Sequence, residues 1–188
     1  IKRHMRRYIY FVFLLCCAVN LLLTSCVRQK YVVMDMVHHN PGEAMTESKF
    51  LDPSFLKKNE YGAKVFFLFE AAQFGIDWKS FDPSLFPDTT EAGRWVAEKA
   101  EIIHKKYDAA KKEDLQVYCM LDMLVLPSLL VEKHRTELTN EQGKLDISKP
   151  YTQLCIRELM KEMFETFPQL DGLVIRTGET YLHDAPYY

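Results

Sequence analysis

The chain has 188 residues, 48% of them hydrophobic and 27% charged, with a formal net charge of −2 and five cysteines. Without the first 26 residues roughly 160 remain, enough for one ordinary core. With no basic cluster after the first few residues, the composition excludes a phosphate-tracking surface, so no nucleic-acid partner is expected.

Lys2, Arg3, His4, Arg6 and Arg7 precede an apolar run from Tyr8 to Leu23 that only Asn20 interrupts, the order of a secretory leader. The run falls short of the roughly 20 apolar residues of a spanning helix. Leu23-Thr24-Ser25-Cys26 closes it and resembles the lipobox of bacterial lipoproteins: an apolar residue, two small residues for the signal-peptidase pocket, then the cysteine that takes the lipid. Residues 1–26 therefore read as a signal peptide ending at the lipidated Cys26, and 27–188 as the exported remainder. The expected location is the bacterial cell membrane or outer membrane, with the lipid on Cys26 as anchor. The alternatives are an uncleaved signal anchor and a leader in which Cys16, Cys17 and Cys26 are apolar filler. Met5, directly before Arg6 and Arg7, reads as the start, leaving Ile1 to His4 as an upstream remnant.

After a short tether, Tyr31 to Val37 is mostly apolar and bounded by His38-His39-Asn40-Pro41-Gly42, a strand followed by a turn. Asp52-Pro53 is a helix cap followed by proline at the first helical position, opening a brief helix to Asn59. Ala63 to Phe69 is a second strand. A loop rich in Phe, Asp and Pro runs to Asp88, and Thr89 or Thr90 caps a long helix to Lys112, along which Trp95, Val96, Ile103 and Tyr107 recur at roughly helical spacing. Leu115 to Leu121 is a third strand, followed by a long connection containing Pro127, Asn140 and Gly143. Ser148 opens a last amphipathic helix, with Tyr151, Leu154, Cys155, Leu159 and Met163 inward, and Pro168 stops it. Asp171 to Arg176 is a fourth strand. Cys119 and Cys155 sit in apolar stretches and read as buried small hydrophobes rather than a disulfide or metal pair.

Apolar strands alternating with amphipathic helices predict an α/β fold of parallel βαβ units. No Gly-rich phosphate loop follows the first strand, so a dinucleotide-binding sheet lacks its fingerprint. The favoured architecture is the first half of a (β/α)8 TIM barrel, with the C-terminal half of the barrel missing. In such a barrel the working residues stand at the C-terminal ends of the strands. Those positions hold His38, His39, Asn40 and Glu43, then Glu70 and Gln73, then Asp122, then Arg176 and Glu179. Glu179, after Gly178, can present a carboxylic acid that protonates a leaving oxygen once burial raises its pKa. Arg176 can take a substrate carboxylate in a bidentate bond or pair with Glu179 or Asp122 as a structural ion pair. Trp78, Phe74, Phe81 and Phe86 can stack against sugar rings or pack the loop onto the sheet. Adjacent residues of an extended chain point to opposite sides, which argues against one metal shared by His38 and His39, and no metal or other cofactor is expected.

Three segments carry a family resemblance: Val37-His-His-Asn-Pro-Gly-Glu43, Phe69-Glu-Ala-Ala-Gln-Phe74 and Asp171-Gly-Leu-Val-Ile-Arg-Thr-Gly-Glu-Thr-Tyr181. They resemble the barrel-type glycoside hydrolases, nearest to the α-glucuronidase-like members that Gram-negative glycan degraders export as lipoproteins. The resemblance covers Tyr31 to Tyr188. It implies hydrolysis of a poly- or oligosaccharide at the cell envelope, with Glu179 as catalytic acid and His38, His39, Glu70, Asp122, Arg176 and Trp78 binding substrate. The family's acid usually follows an asparagine, and Gly178 stands there instead. The second carboxylate implied by the family comes from a later strand, commonly the seventh, so this chain alone is expected to be inactive. The alternative is a lipid-anchored glycan-binding or scaffold protein without catalysis.

Overall fold

A computed structural model of the protein describes residues 32–35, 49–67, 70–176 and 185–188, and every structural statement below is made of those residues. Cys26, His38, His39 and Glu179 lie outside them.

Strands β1 (Met34–Asp35), β2 (Ala63–Phe67), β3 (Gln116–Asp122) and β4 (Gly172–Arg176) are all parallel and lie side by side in the order β1-β2-β3-β4. The expected α/β class is therefore present. Each crossover steps the sheet in the same direction. Because parallel crossovers are right-handed in nearly all proteins, such a sheet collects its helices on one face. The packing agrees. Successive strand residues point to opposite faces, and Phe66, Val117, Cys119 and Leu121 join one apolar core with Ile103, Tyr107, Leu159 and Met163 from the helices. Val65, Phe67, Tyr118, Met120, Val174 and the Asp122 and Arg176 side chains belong to the other face by the same alternation.

The helices form where caps and periodicity predict them. In α1 (Pro53–Lys58) the Asp52 carboxylate accepts the Ser54 amide proton at 2.9 Å, and proline fills the first helical position. In α2 (Glu91–Lys112) the Thr90 hydroxyl accepts from the Gly93 amide at 3.0 Å, and Lys111 and Lys112 in the last turn complement the helix dipole. Gly93 is required there, since a Cβ would come within 2.1 Å of the Pro87 carbonyl oxygen. Val96, Ile103, Tyr107 and Ala110 of α2 are buried, while Trp95 stays half-buried at its edge.

Two local differences from the sequence expectation have physical causes. The connection after β3 contains two short helices, α3 (Ser128–Lys133) and α4 (Arg135–Leu138), too brief to show a periodicity. They lead into a turn in which the Asn140 side chain accepts from the Gln142 and Lys144 amides and Gly143 takes a φ of 73°. The last helix, α5 (Pro150–Thr166), has Lys149 rather than Ser148 at its cap. Ser148 donates both its amide and its hydroxyl to Asp146, so it belongs to the preceding turn.

Candidate functional site

At the C-terminal end of the sheet face opposite that core, β3 and β4 finish on a register pair, Asp122 opposite Arg176. Direct register partners on one face of a sheet have Cβ atoms close enough to interact, and here the contact is bidentate: Arg176 Nε donates to Asp122 Oδ1 at 2.6 Å and Nη2 to Oδ2 at 2.9 Å. The guanidinium also lies 5.5 Å from the Phe67 ring centroid at the end of β2, within cation–π range. Three strand ends thus meet in one cluster. The Arg176 side chain keeps 21% of its surface exposed and that of Asp122 keeps 10%, so the cation is held in a fixed orientation yet remains reachable from solvent. A planar, oriented guanidinium of this kind suits carboxylate or hydroxyl recognition.

Of the residues singled out from the sequence, Asp122 and Arg176 are brought together, with Asp122 the last residue of β3 itself. Glu70 does not join them. Its carboxylate pairs with Lys106 of α2, and its backbone oxygen accepts from the Tyr107 hydroxyl at 2.9 Å, so it is turned toward the helix layer. Trp78 requires a correction. It is fully buried, with its ring against Phe81, and has no exposed face for a sugar to stack on. Its φ of 56° is unusual for a bulky residue, and burial of the indole offsets that strain. Phe74 and Phe86 are buried as well, so the aromatic loop packs onto the body of the protein.

Cys119 and Cys155 are both buried free thiols. Burial pushes each up to about 11, which leaves neither as a thiolate nucleophile at neutral pH. The Cys119 sulfur instead accepts the Ala72 amide proton at 3.2 Å, tying the loop after β2 to β3. Among the described residues no group of three His, Cys, Asp or Glu is placed to hold a metal ion, and no helix is long and apolar enough to cross a membrane. Beyond β3 an open pocket of about 400 Å³ is lined mainly by Leu124, Val125, Leu126, Val131, Leu145 and Tyr188.

Sequence reasoning missed two polar arrangements. The first is a fully buried ion pair, Lys64 with Asp35 at 2.9 Å, joining register partners of β1 and β2, with Lys64 also donating to the Phe50 carbonyl at 3.0 Å. A charged residue in the middle of Ala63-Lys-Val-Phe-Phe67 was the available signal. The second is Glu162 on the buried side of α5, which accepts from the Ser80 hydroxyl. Burial raises its pKa, opposed by the hydrogen bonds from Ser80 and the Trp78 amide. A search of protein families, of curated proteins and of solved structures gave no match to the chain.

Proposed function

We propose that the chain is the first half of a barrel-type glycoside hydrolase that acts on poly- or oligosaccharides at the bacterial cell envelope. The observation that supports it best is the one-directional parallel sheet with its helices on one face. A doubly wound nucleotide-binding sheet reverses its strand order at a switch point and carries helices on both faces. A barrel keeps stepping one way, and its helix-free face becomes the interior. On that reading Phe67, Asp122 and Arg176 stand at the barrel mouth, where such enzymes bind substrate.

In this reading Glu179, three residues beyond Arg176, is the general acid that protonates the glycosidic oxygen as the bond to the anomeric carbon breaks. Asp122 holds the Arg176 guanidinium in plane for a uronate carboxylate or a sugar hydroxyl. His38 and His39 line the cleft from the first strand. The second carboxylate comes from the missing half of the barrel, no cofactor takes part, and the lipid on Cys26 keeps the enzyme at the membrane.

The test is release of reducing sugar from a panel of plant and host glycans by the gene product extended past Tyr188, beside its Glu179→Gln variant. Turnover that drops by about a hundredfold or more in the variant supports the hydrolase and its acid. Glycan binding without turnover in the extended protein overturns catalysis in favour of a lipid-anchored binding protein.

A further inference from the structure

The pocket of about 400 Å³ beyond β3 has walls from separate parts of the chain. At the strand end the Val125 amide donates to the Asp122 carbonyl at 3.0 Å, and this turn leaves Leu124 at 39% exposure while Val125 and Leu126 are buried. Ser128, Val131 and Glu132 of α3 and Arg135 of α4 form a second wall, spaced as residues along one side of a helix. Leu145 and Tyr188 complete the lining. Each part is tied down. The Ser128 amide donates to the Tyr187 carbonyl at 2.8 Å, and the Tyr187 ring packs edge-on against Trp95 in the first turns of α2. Tyr188 is seated by its hydroxyl, which donates to the Gln73 carbonyl at 2.9 Å, and by its ring, which stacks on Phe86. Beside Leu145, the Asp146 amide donates to the Leu138 carbonyl at 2.9 Å. The pocket is thus formed before any ligand arrives, and its size is that of a small-molecule site.

Leucine and valine side chains make most of this lining and offer a ligand only apolar contact. The polar side chains in it, Ser128, Glu132 and Arg135, make no hydrogen bond or ion pair with any described residue, so their bonding capacity is open to a ligand. A carboxylate only accepts and a guanidinium only donates. A ligand carboxylate would gain from Arg135 and be repelled by Glu132, and a ligand ammonium would meet the reverse. A hydroxyl accepts from Arg135, donates to Glu132 and meets neither repulsion. We propose that the pocket binds a small uncharged amphiphile, its alkyl or aryl body against Leu124, Val131 and Leu145 and its hydroxyl end on Arg135 and Glu132. Burial of the apolar body supplies the affinity, and the two opposed charges select against a charged head. None of these residues has a part in the glycosidic chemistry proposed above, so the two readings stand or fall separately.

The deciding experiment uses three probes that share one octyl chain and differ in the head: octanol, octanoate and octylammonium. Binding to the intact chain is followed by the methyl NMR signals of Leu124, Val131 and Leu145, with those of Val96 and Ile103 in the core as controls. Octanol is expected to move the pocket signals, leave the controls in place and bind about threefold or more tighter than either charged probe. Leu124→Asp, at an exposed position, should weaken octanol about tenfold. Glu132→Gln should bring octanoate level with octanol or ahead of it, and Arg135→Gln should do the same for octylammonium; both residues are exposed, so neither change threatens the fold. Octanol that leaves the pocket signals unmoved, or binding that Leu124→Asp does not weaken, overturns the proposal. Octanoate ahead of octanol in the parent chain would make this an anion site on Arg135 and overturn the uncharged head. Sugar turnover enters none of these outcomes, so failure of the hydrolase reading is separately visible.

Discussion

Two carboxylate–cation pairs join register partners of neighbouring strands, and they differ in almost everything else. Asp35–Lys64 links β1 to β2 on the helix-covered face with both side chains at 3% exposure or less. Asp122–Arg176 links β3 to β4 at the strand ends of the opposite face, with the cation one-fifth exposed. The first pair is beyond the reach of any ligand, and its lysine spends a further donor on the Phe50 carbonyl. It locks β1 to the sheet and ties in the segment before α1. The second uses a planar guanidinium and keeps it accessible. Burial therefore separates a sealed pair from one that solvent reaches, although the charges and the cross-strand geometry are alike.

Breaking the buried pair from one side gives the largest expected effect. Lys64→Met removes the buried cation that Asp35 faces at 2.9 Å and should lower stability by about 3–5 kcal/mol, read from the midpoint of urea unfolding. The double variant Asp35→Leu/Lys64→Met removes both charges and should recover most of that loss, because a well-packed apolar pair often matches or exceeds a buried ion pair. A double variant as unstable as the single would mean that the pair itself, rather than the loss of one charge from it, carries the stability.

The rim pair should respond differently. Arg176→Gln loses the two charge-assisted hydrogen bonds to Asp122 near solvent, with an expected cost of about 1–2 kcal/mol, and Asp122 can rehydrate. Phe67→Leu removes the ring beneath the guanidinium and should cost about 1 kcal/mol or less beyond the lost packing. Under the proposed function both variants weaken glycan affinity, Arg176→Gln more than Phe67→Leu, and isothermal titration against a uronate-containing oligosaccharide measures the order. If Arg176→Gln cost as much stability as Lys64→Met, the contrast between the two pairs would collapse.

Much of this architecture is legible in the sequence because it depends on local rules. The Asp52-Pro53 cap, the Thr90 cap and the 3.6-residue period of α2 each need only neighbouring residues to be read. Asp122 and Arg176 stand out as polar residues where apolar strands end. Which way a loop side chain turns is a different matter. Glu70 and Trp78 follow the same strand, and tertiary packing sends one toward Lys106 and buries the other against Phe81. The partner of Lys64 is invisible for the same reason: it lies on another strand and is chosen by register. Tyr187 and Tyr188, at the end of a polar stretch, give no sign in the sequence that their seat is formed by residues following β2 and β3 and by the first turns of α2.

A third buried carboxylate sharpens the contrast, because Glu162 receives a hydroxyl, not a cation, as its direct side-chain partner. Burial is the main cause that raises its pKa, and the Asp77 charge adds to it, while Ser80, the Trp78 amide and the Lys161 charge pull the other way. Its charge also faces the buried Tyr188 hydroxyl. A carboxyl whose pKa is higher folded than unfolded favours the folded state while protonated in both states, and that contribution is lost as pH rises through the folded value. At neutral pH Glu162 is thus a modest burden on stability. Glu162→Gln keeps an acceptor for the Ser80 hydroxyl and removes the charge, so it should raise the melting temperature by about 1–3 °C at pH 7. The gain should fade as pH falls below the ordinary glutamate range, where both proteins are uncharged at this site. Thermal melts of the two proteins across that range measure the difference directly, and a gain that grew toward acid would reverse the assigned sign.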